Sequence, residues 1–176
     1  MGCLALENYL NFNSHHLTED RISGIIFSAP FFGIHESIKV NFGKKLSIKT
    51  LASIADDFVL TRGNPLHLVS RNKQYLRQLI TSTKAPPLAS FSLLASFIRS
   101  IDRLSPAKFN FAYLMVLAER DHIVSNGASK SWRDRSKSKI KTLKLVPGAY
   151  HELAKEPNND ALFEAALKFM GERLSQ

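Results

Sequence analysis

Phe111-Ala112-Tyr113-Leu114-Met115-Val116-Leu117-Ala118-Glu119-Arg120-Asp121 is the stretch on which the fold turns. Phe111 to Ala118 is an unbroken apolar run of strand length, suited to burial on both faces, as in a parallel sheet covered by helices. Glu119 to Ser125 then forms a polar loop, and a helical segment runs to about Ser136. Ile140 to Val146 is the next strand, broken by Pro147-Gly148. Asn159 or Asp160 is placed to cap a last helix, in which Leu162, Phe163, Ala166, Leu167, Met170 and Leu174 recur at helical spacing.

Upstream of the decisive stretch, Ile22 and Gly24-Ile25-Ile26-Phe27 form a short buried strand closed by Ser28-Ala29-Pro30. Before it, Leu4, Leu6, Tyr9, Leu10 and Phe12 supply the apolar content of an opening helix that Asn11, Asn13 and Ser14 loosen. Between Phe31 and about Pro106 the character changes. Helical patterns at Ile48 to Leu60, Asn72 to Thr81 and Phe91 to Leu104 are broken by Arg62-Gly63-Asn64-Pro65 and Ala85-Pro86-Pro87, and no strand is expected there. The order strand, insertion, strand, helix, strand, helix predicts an α/β fold with a parallel sheet. Residues 1–30 and 107–176 belong to that core, and residues 31–106 form a helical insertion. Three strands covered by helices make a small sheet with an open edge, so the chain reads as a piece of a larger one.

The 176 residues suffice for one domain with a sizeable core, and 44% hydrophobic with 22% charged residues is ordinary globular composition. No apolar run reaches the roughly 18 residues that span a bilayer, and the N-terminus lacks the pattern of a secretory signal. The single cysteine, Cys3, forms no internal disulfide and fits a reducing compartment, which suggests a cytoplasmic location. A net charge of +9 raises nucleic acid or an anionic membrane as partners. The densest basic stretch, Lys130 to Lys144, is read as a solvated face, and no aromatic-and-basic nucleic-acid motif accompanies it. His15-His16 lack a suitably spaced third metal ligand, so a metal is not expected there.

In a parallel α/β sheet the working residues collect beyond the carboxyl ends of the strands. Asp121 lies three residues after Ala118, and His151 lies five after Val146. One βα unit separates them, so neighbouring strands can bring both side chains together. A carboxylate bonded to an imidazole fixes its tautomer and stabilises the cation formed when it takes a proton. His35, His67 and His122 are read as loop or cap residues, and Cys3 as a small packed residue on the first helix.

Several segments resemble the monoglyceride-lipase and lysophospholipase group of α/β-hydrolases. Gly148-Ala149-Tyr150-His151 looks like that family's histidine loop, and Ala118-Glu119-Arg120-Asp121-His122-Ile123-Val124 resembles its acid loop, with Ala118 where glycine is usual. Ile25 to Pro30 is similar to the strand after the nucleophile helix, and Val69-Ser70-Arg71-Asn72 to a segment of the cap. Ala85-Pro86-Pro87-Leu88 departs from the family's Asp-Pro-Leu. Met1-Gly2 matches the residues that follow the nucleophile serine in Gly-His-Ser-Met-Gly, a strained strand-to-helix turn.

The resemblance implies a partial α/β-hydrolase fold with a helical cap over residues 31–106, and a serine hydrolase of monoacylglycerol or lysophospholipid esters. His151 would be its base and Asp121 the acid, and the backbone N–H of Met1 one oxyanion-hole donor. Such a reaction needs no cofactor and no metal, and the expected partner is a small lipid ester, with peripheral membrane contact and no nucleic acid. Phe91, Phe97 and Leu93-Leu94 either line an acyl pocket or pack the cap. The chain itself lacks the serine and is expected to be inactive. The competing readings are a non-catalytic interaction protein with a basic surface, and a peptidase or thioesterase on the same scaffold.

Overall fold

The computed structural model of the chain describes residues 2–12, 22–36, 59–60, 66–81 and 89–175. Helix α1 (Gly2–Phe12) is followed by β1 (Ile25–Ser28), β2 (Val59–Leu60), α2 (Lys73–Thr81), β3 (Ala89–Ser90) and α3 (Phe91–Asp102). Then come β4 (Tyr113–Ala118), α4 (Asn126–Arg135), β5 (Lys141–Val146) and α5 (Asp160–Leu174). The main sheet has the order β1-β4-β5, with both pairings parallel.

Strand β4 is central, and all six of its residues are buried. Alternation sends Tyr113, Met115 and Leu117 into one core cluster and Leu114, Val116 and Ala118 into another on the opposite face. The first cluster is aromatic. Trp132 of α4 stacks on Phe32 with ring centroids 4.3 Å apart, and Phe27, Phe109 and Tyr113 meet the indole edge-to-face. Leu10 of α1 belongs to the same cluster, and the buried Glu7 carboxylate accepts the Ser105 amide at 2.8 Å, tying α1 to the turn before β4. The second cluster is closed by Leu162 and Phe169 of α5.

Two helix starts follow directly from side-chain chemistry. The Asn72 side-chain oxygen accepts the Tyr75 amide at 3.1 Å, and Ser125 Oγ accepts the Ala128 amide at 3.1 Å, each satisfying a donor that the first turn leaves free. At α5 the expected side-chain cap is not formed. Asn159 holds the cap position in helical backbone, but its amide is turned back to donate to the Ala154 carbonyl at 3.2 Å.

Other expectations are also corrected. Between Phe31 and Pro106 no strand was anticipated, yet Val59–Leu60 pairs antiparallel with Ala89–Ser90. Two residues are too few for alternation to register in a sequence. Val59 and Leu60 therefore do not continue a helix from Ile48, and residues 48–58 lie outside the described residues. On α5, Phe163, Leu167, Met170 and Leu174 are exposed, and the contact with the sheet is made by Leu162 and Phe169, with Ala161 and Ala165 beside them. The outer strand β5 exposes Lys141, Thr142, Lys144 and Leu145, an edge fenced by charge. No helix among the described residues is long and apolar enough to cross a membrane.

Candidate active site

Parallel pairing sets the site. Ala118 and Val146 are register partners at the carboxyl ends of β4 and β5, so the loops after them leave the sheet side by side. The loops are laced together at three points. Glu119 N–H donates to the Val146 carbonyl at 3.1 Å, Arg120 N–H to the Ala149 carbonyl at 2.9 Å, and Gly148 N–H to the Glu119 carboxylate at 2.7 Å. Gly148 turns the chain at φ +63°, in the left-handed region that a glycine enters without strain.

Within this frame Asp121 is buried, and both of its carboxylate oxygens are used. Oδ1 accepts the amides of Ile123 and Val124, each at 2.9 Å. Oδ2 lies 2.8 Å from Nδ1 of His151. The Asp121 side chain is fully shielded, whereas that of His151 retains 21% exposure. A carboxylate locked by two amides accepts from Nδ1–H, and the tautomer it selects carries its in-plane lone pair on Nε2. The geometry is that of an imidazole oriented by a carboxylate, with Nε2 left without a hydrogen-bond partner among the described residues.

The remaining sequence candidates fall elsewhere. Met1 and its backbone N–H lie outside the described residues, as do His15 and His16. His122 packs edge-on against Tyr150 at 5.4 Å and against His35 at 5.8 Å. Cys3 Sγ accepts the Phe31 amide at 3.0 Å, and burial pushes its thiol up rather than down, as suits a packed residue and not a nucleophile. Phe97 meets Phe31 edge-on at 5.9 Å, and Leu93 is exposed. Nothing is described of the side chains of Phe91 and Leu94. No group of three or more His, Cys, Asp or Glu side chains that could hold a metal ion occurs among the described residues.

Glu156 was not singled out from the sequence, and it is the other buried carboxylate beside the histidine loop. Its Oε1 accepts Ser70 Oγ–H at 2.8 Å and the Arg71 amide at 2.7 Å. Its Oε2 accepts Arg71 Nε–H at 2.7 Å and the Tyr150 amide at 3.0 Å. Burial alone would raise its carboxyl, but the Arg71 amide and guanidinium, the Tyr150 amide and the Ser70 hydroxyl outweigh that and hold it below the usual carboxylate range. Three of its four donors, from Ser70 and Arg71, lie about half the chain away in sequence, so no local spacing points to it.

A family model described as serine aminopeptidase, S33 (Hydrolase_4) matches residues 1–158. The chain is 26% identical over 152 residues to a protein named phospholipase YtpA from Bacillus subtilis (strain 168), covering 85% of this chain and 58% of that protein. It is 29% identical over 179 residues to an uncharacterized abhydrolase domain-containing protein of Dictyostelium discoideum, covering 98% of this chain and 18% of the other. The chain thus spans little more than half of the first relative and less than a fifth of the second. Among solved structures, a monoacylglycerol lipase of Paleococcus ferrophilus superposes with a TM-score of 0.79 at 23% identity, over 93% of this chain and 62% of that one. A soluble variant of the Saccharomyces cerevisiae monoglyceride lipase, in complex with a substrate analog, gives 0.77 at 20% identity, over 97% and 61%. These two likenesses establish the fold, and the match to residues 1–158 establishes the relationship: the chain belongs to the serine aminopeptidase S33 family and has a partial α/β-hydrolase fold resembling that of monoglyceride lipases.

Proposed function

We propose that this chain carries the acid and the base of a serine hydrolase that cleaves carboxylic esters of monoacylglycerols or lysophospholipids. The observation that carries the reading is the 2.8 Å bond between His151 Nδ1 and the buried Asp121 carboxylate at the ends of adjacent parallel strands. Family membership and relatives named as a phospholipase and as monoglyceride lipases support the reaction class.

In this reading the nucleophile is a serine outside the 176 residues, one position before Met1. Its hydroxyl attacks the ester carbonyl while His151 Nε2 takes the proton, and Asp121 stabilises the imidazolium without being protonated. The tetrahedral oxyanion is held in part by the Met1 backbone N–H. His151 then returns the proton to the departing alcohol, leaving an acyl-serine. Water attacks that ester, gives its proton to His151, and the serine is released on reprotonation. The chain's own residues suffice for the proton transfers. Residues 31–106 serve as the cap that selects the substrate. In support, this segment interrupts the path from β1 to β4, strands that are neighbours in the sheet.

The test compares the purified 176-residue chain with a form extended by the in-frame codons upstream of Met1. Labelling by a fluorophosphonate probe and hydrolysis of a monoacylglycerol are measured on both. The expected result is silence in the first, with labelling and turnover in the second. Turnover by the 176-residue chain alone, or an extended form that takes no label, would overturn the proposal.

A further inference from the structure

The amides on either side of His151 are tied to one distant segment, one directly and the other through Glu156. The amide before the histidine, on Tyr150, donates to Glu156, whose other donors are Ser70 and Arg71. The amide after it, on Glu152, donates to the Val69 carbonyl at 2.9 Å. Val69, Ser70 and Arg71 therefore bracket the histidine, and Glu156 closes the bracket. Arg71 adds two further contacts. Its Nη2 donates to the Asn158 side chain at 2.7 Å, and its guanidinium carbon lies 6.0 Å from the centre of the Tyr150 ring. Asn158 in turn donates to the Pro147 carbonyl at 3.1 Å, at the start of the same loop.

We propose that Glu156 is a positioning residue for His151: its buried carboxylate fastens the histidine loop to the Val69–Arg71 segment and so keeps the imidazole on Asp121. The proposal rests on the reading of Asp121 and His151 as acid and base. Four donors converge on two oxygens, and an ionised carboxylate is the side chain that accepts from all of them. A glutamine would turn an NH2 group toward two of those donors, leaving buried N–H groups facing N–H groups. Val69–Arg71 also leads directly into α2 through the Asn72 cap, so displacement of that helix is transmitted through Glu156 to the histidine backbone. Glu156 thereby links the segment between β1 and β4 to the position of the base.

The experiment is ¹H–¹⁵N NMR of the full 176-residue chain, following the Nδ1–H of His151 and its exchange with solvent. Glu156→Gln is expected to speed that exchange by about tenfold, the effect of one uncompensated buried hydrogen bond, while the amides of β4 keep their protection. Unchanged His151 exchange in a folded Glu156→Gln variant would overturn the proposal. So would equal loosening of His151 and of the β4 amides, since that marks a general structural role. If the variant loses β4 protection outright, Ser70→Ala and Arg71→Met decide, each removing one side-chain donor to Glu156. Faster His151 exchange in these two supports the proposal, and no change in either overturns it. Failure of the underlying reading looks different: a wild-type chain whose Nδ1–H is unaffected by Asp121→Asn has no acid–base pair to position.

Discussion

His151 Nδ1 stands 2.8 Å from Asp121 Oδ2 across 30 residues of chain, because the strands that end in the two loops are adjacent and in parallel register. The two amides on Asp121 Oδ1 keep the other oxygen aimed at the ring. Asp121→Asn is nearly isosteric, so the loops stay in place, but an amide NH2 facing Nδ1 selects the wrong tautomer. If the proposed function holds, kcat of a form extended upstream is expected to fall by about 10³- to 10⁴-fold with little change in KM. Steady-state kinetics on a monoacylglycerol checks this, and a drop of less than tenfold would remove Asp121 from the mechanism.

Glu156 ties stability to acidity. Its folded carboxyl is depressed, so the stability it contributes is fully present above the unfolded value, about pH 4.3. That contribution is lost as the pH falls below this value and through the lower folded one. Urea unfolding of the wild type and of Glu156→Gln at several pH values measures the difference. The gap between the two proteins should be widest near neutrality and should narrow below about pH 4. A gap that stays constant down to pH 3 would contradict the assignment.

Gly33 marks a close approach between the loop after β1 and helix α4. A Cβ placed there would lie 2.5 Å from the Ala128 Cβ, and the Gly33 carbonyl accepts the Ser125 amide at the helix start. Gly33→Ala is expected to cost about 1–3 kcal/mol as overpacking. Thermal or urea unfolding reads the loss. Ala128→Gly costs about 1 kcal/mol alone, yet combined with Gly33→Ala it should recover part of the clash energy. Strict additivity of the two changes would show that the approach is not tight.

The aromatic cluster around Trp132 holds α4 to the sheet, and the indole is completely buried. Trp132→Ala should destabilise the chain by about 3–5 kcal/mol. Urea unfolding followed by circular dichroism measures it, and a loss below about 1 kcal/mol would mean that the cluster collapses to refill the space.

Lys141 and Lys144 are exposed on the outer strand β5. Replacing both with valine leaves a longer uncharged edge, and self-association at moderate protein concentration is the expected outcome. Light scattering compares the variant with the wild type, and an unchanged monomer fraction would show that the lysines do not guard this edge.

The chain by itself determined the sheet. The apolar run Phe111 to Ala118 announces a strand buried on both faces, and Pro147-Gly148 marks the end of the next. Because parallel strands place their following loops together, the positions of Asp121 and His151 were enough to pair them. Periodicity also located α5, but it did not say which of its apolar residues meet the sheet. Phe169 is buried while Leu167 and Leu174 are exposed, since the covering area depends on how far the neighbouring strands extend. Glu156 was beyond the reach of the sequence for a related reason. A buried carboxylate is defined by its donors, and Ser70 and Arg71 reach it only after the segment between β1 and β4 has folded back onto the histidine loop. Local spacing encodes what hydrogen-bonded ladders and helical faces require within a few residues. Contacts between distant segments are decided by tertiary packing, which here determines how the His151 loop is held.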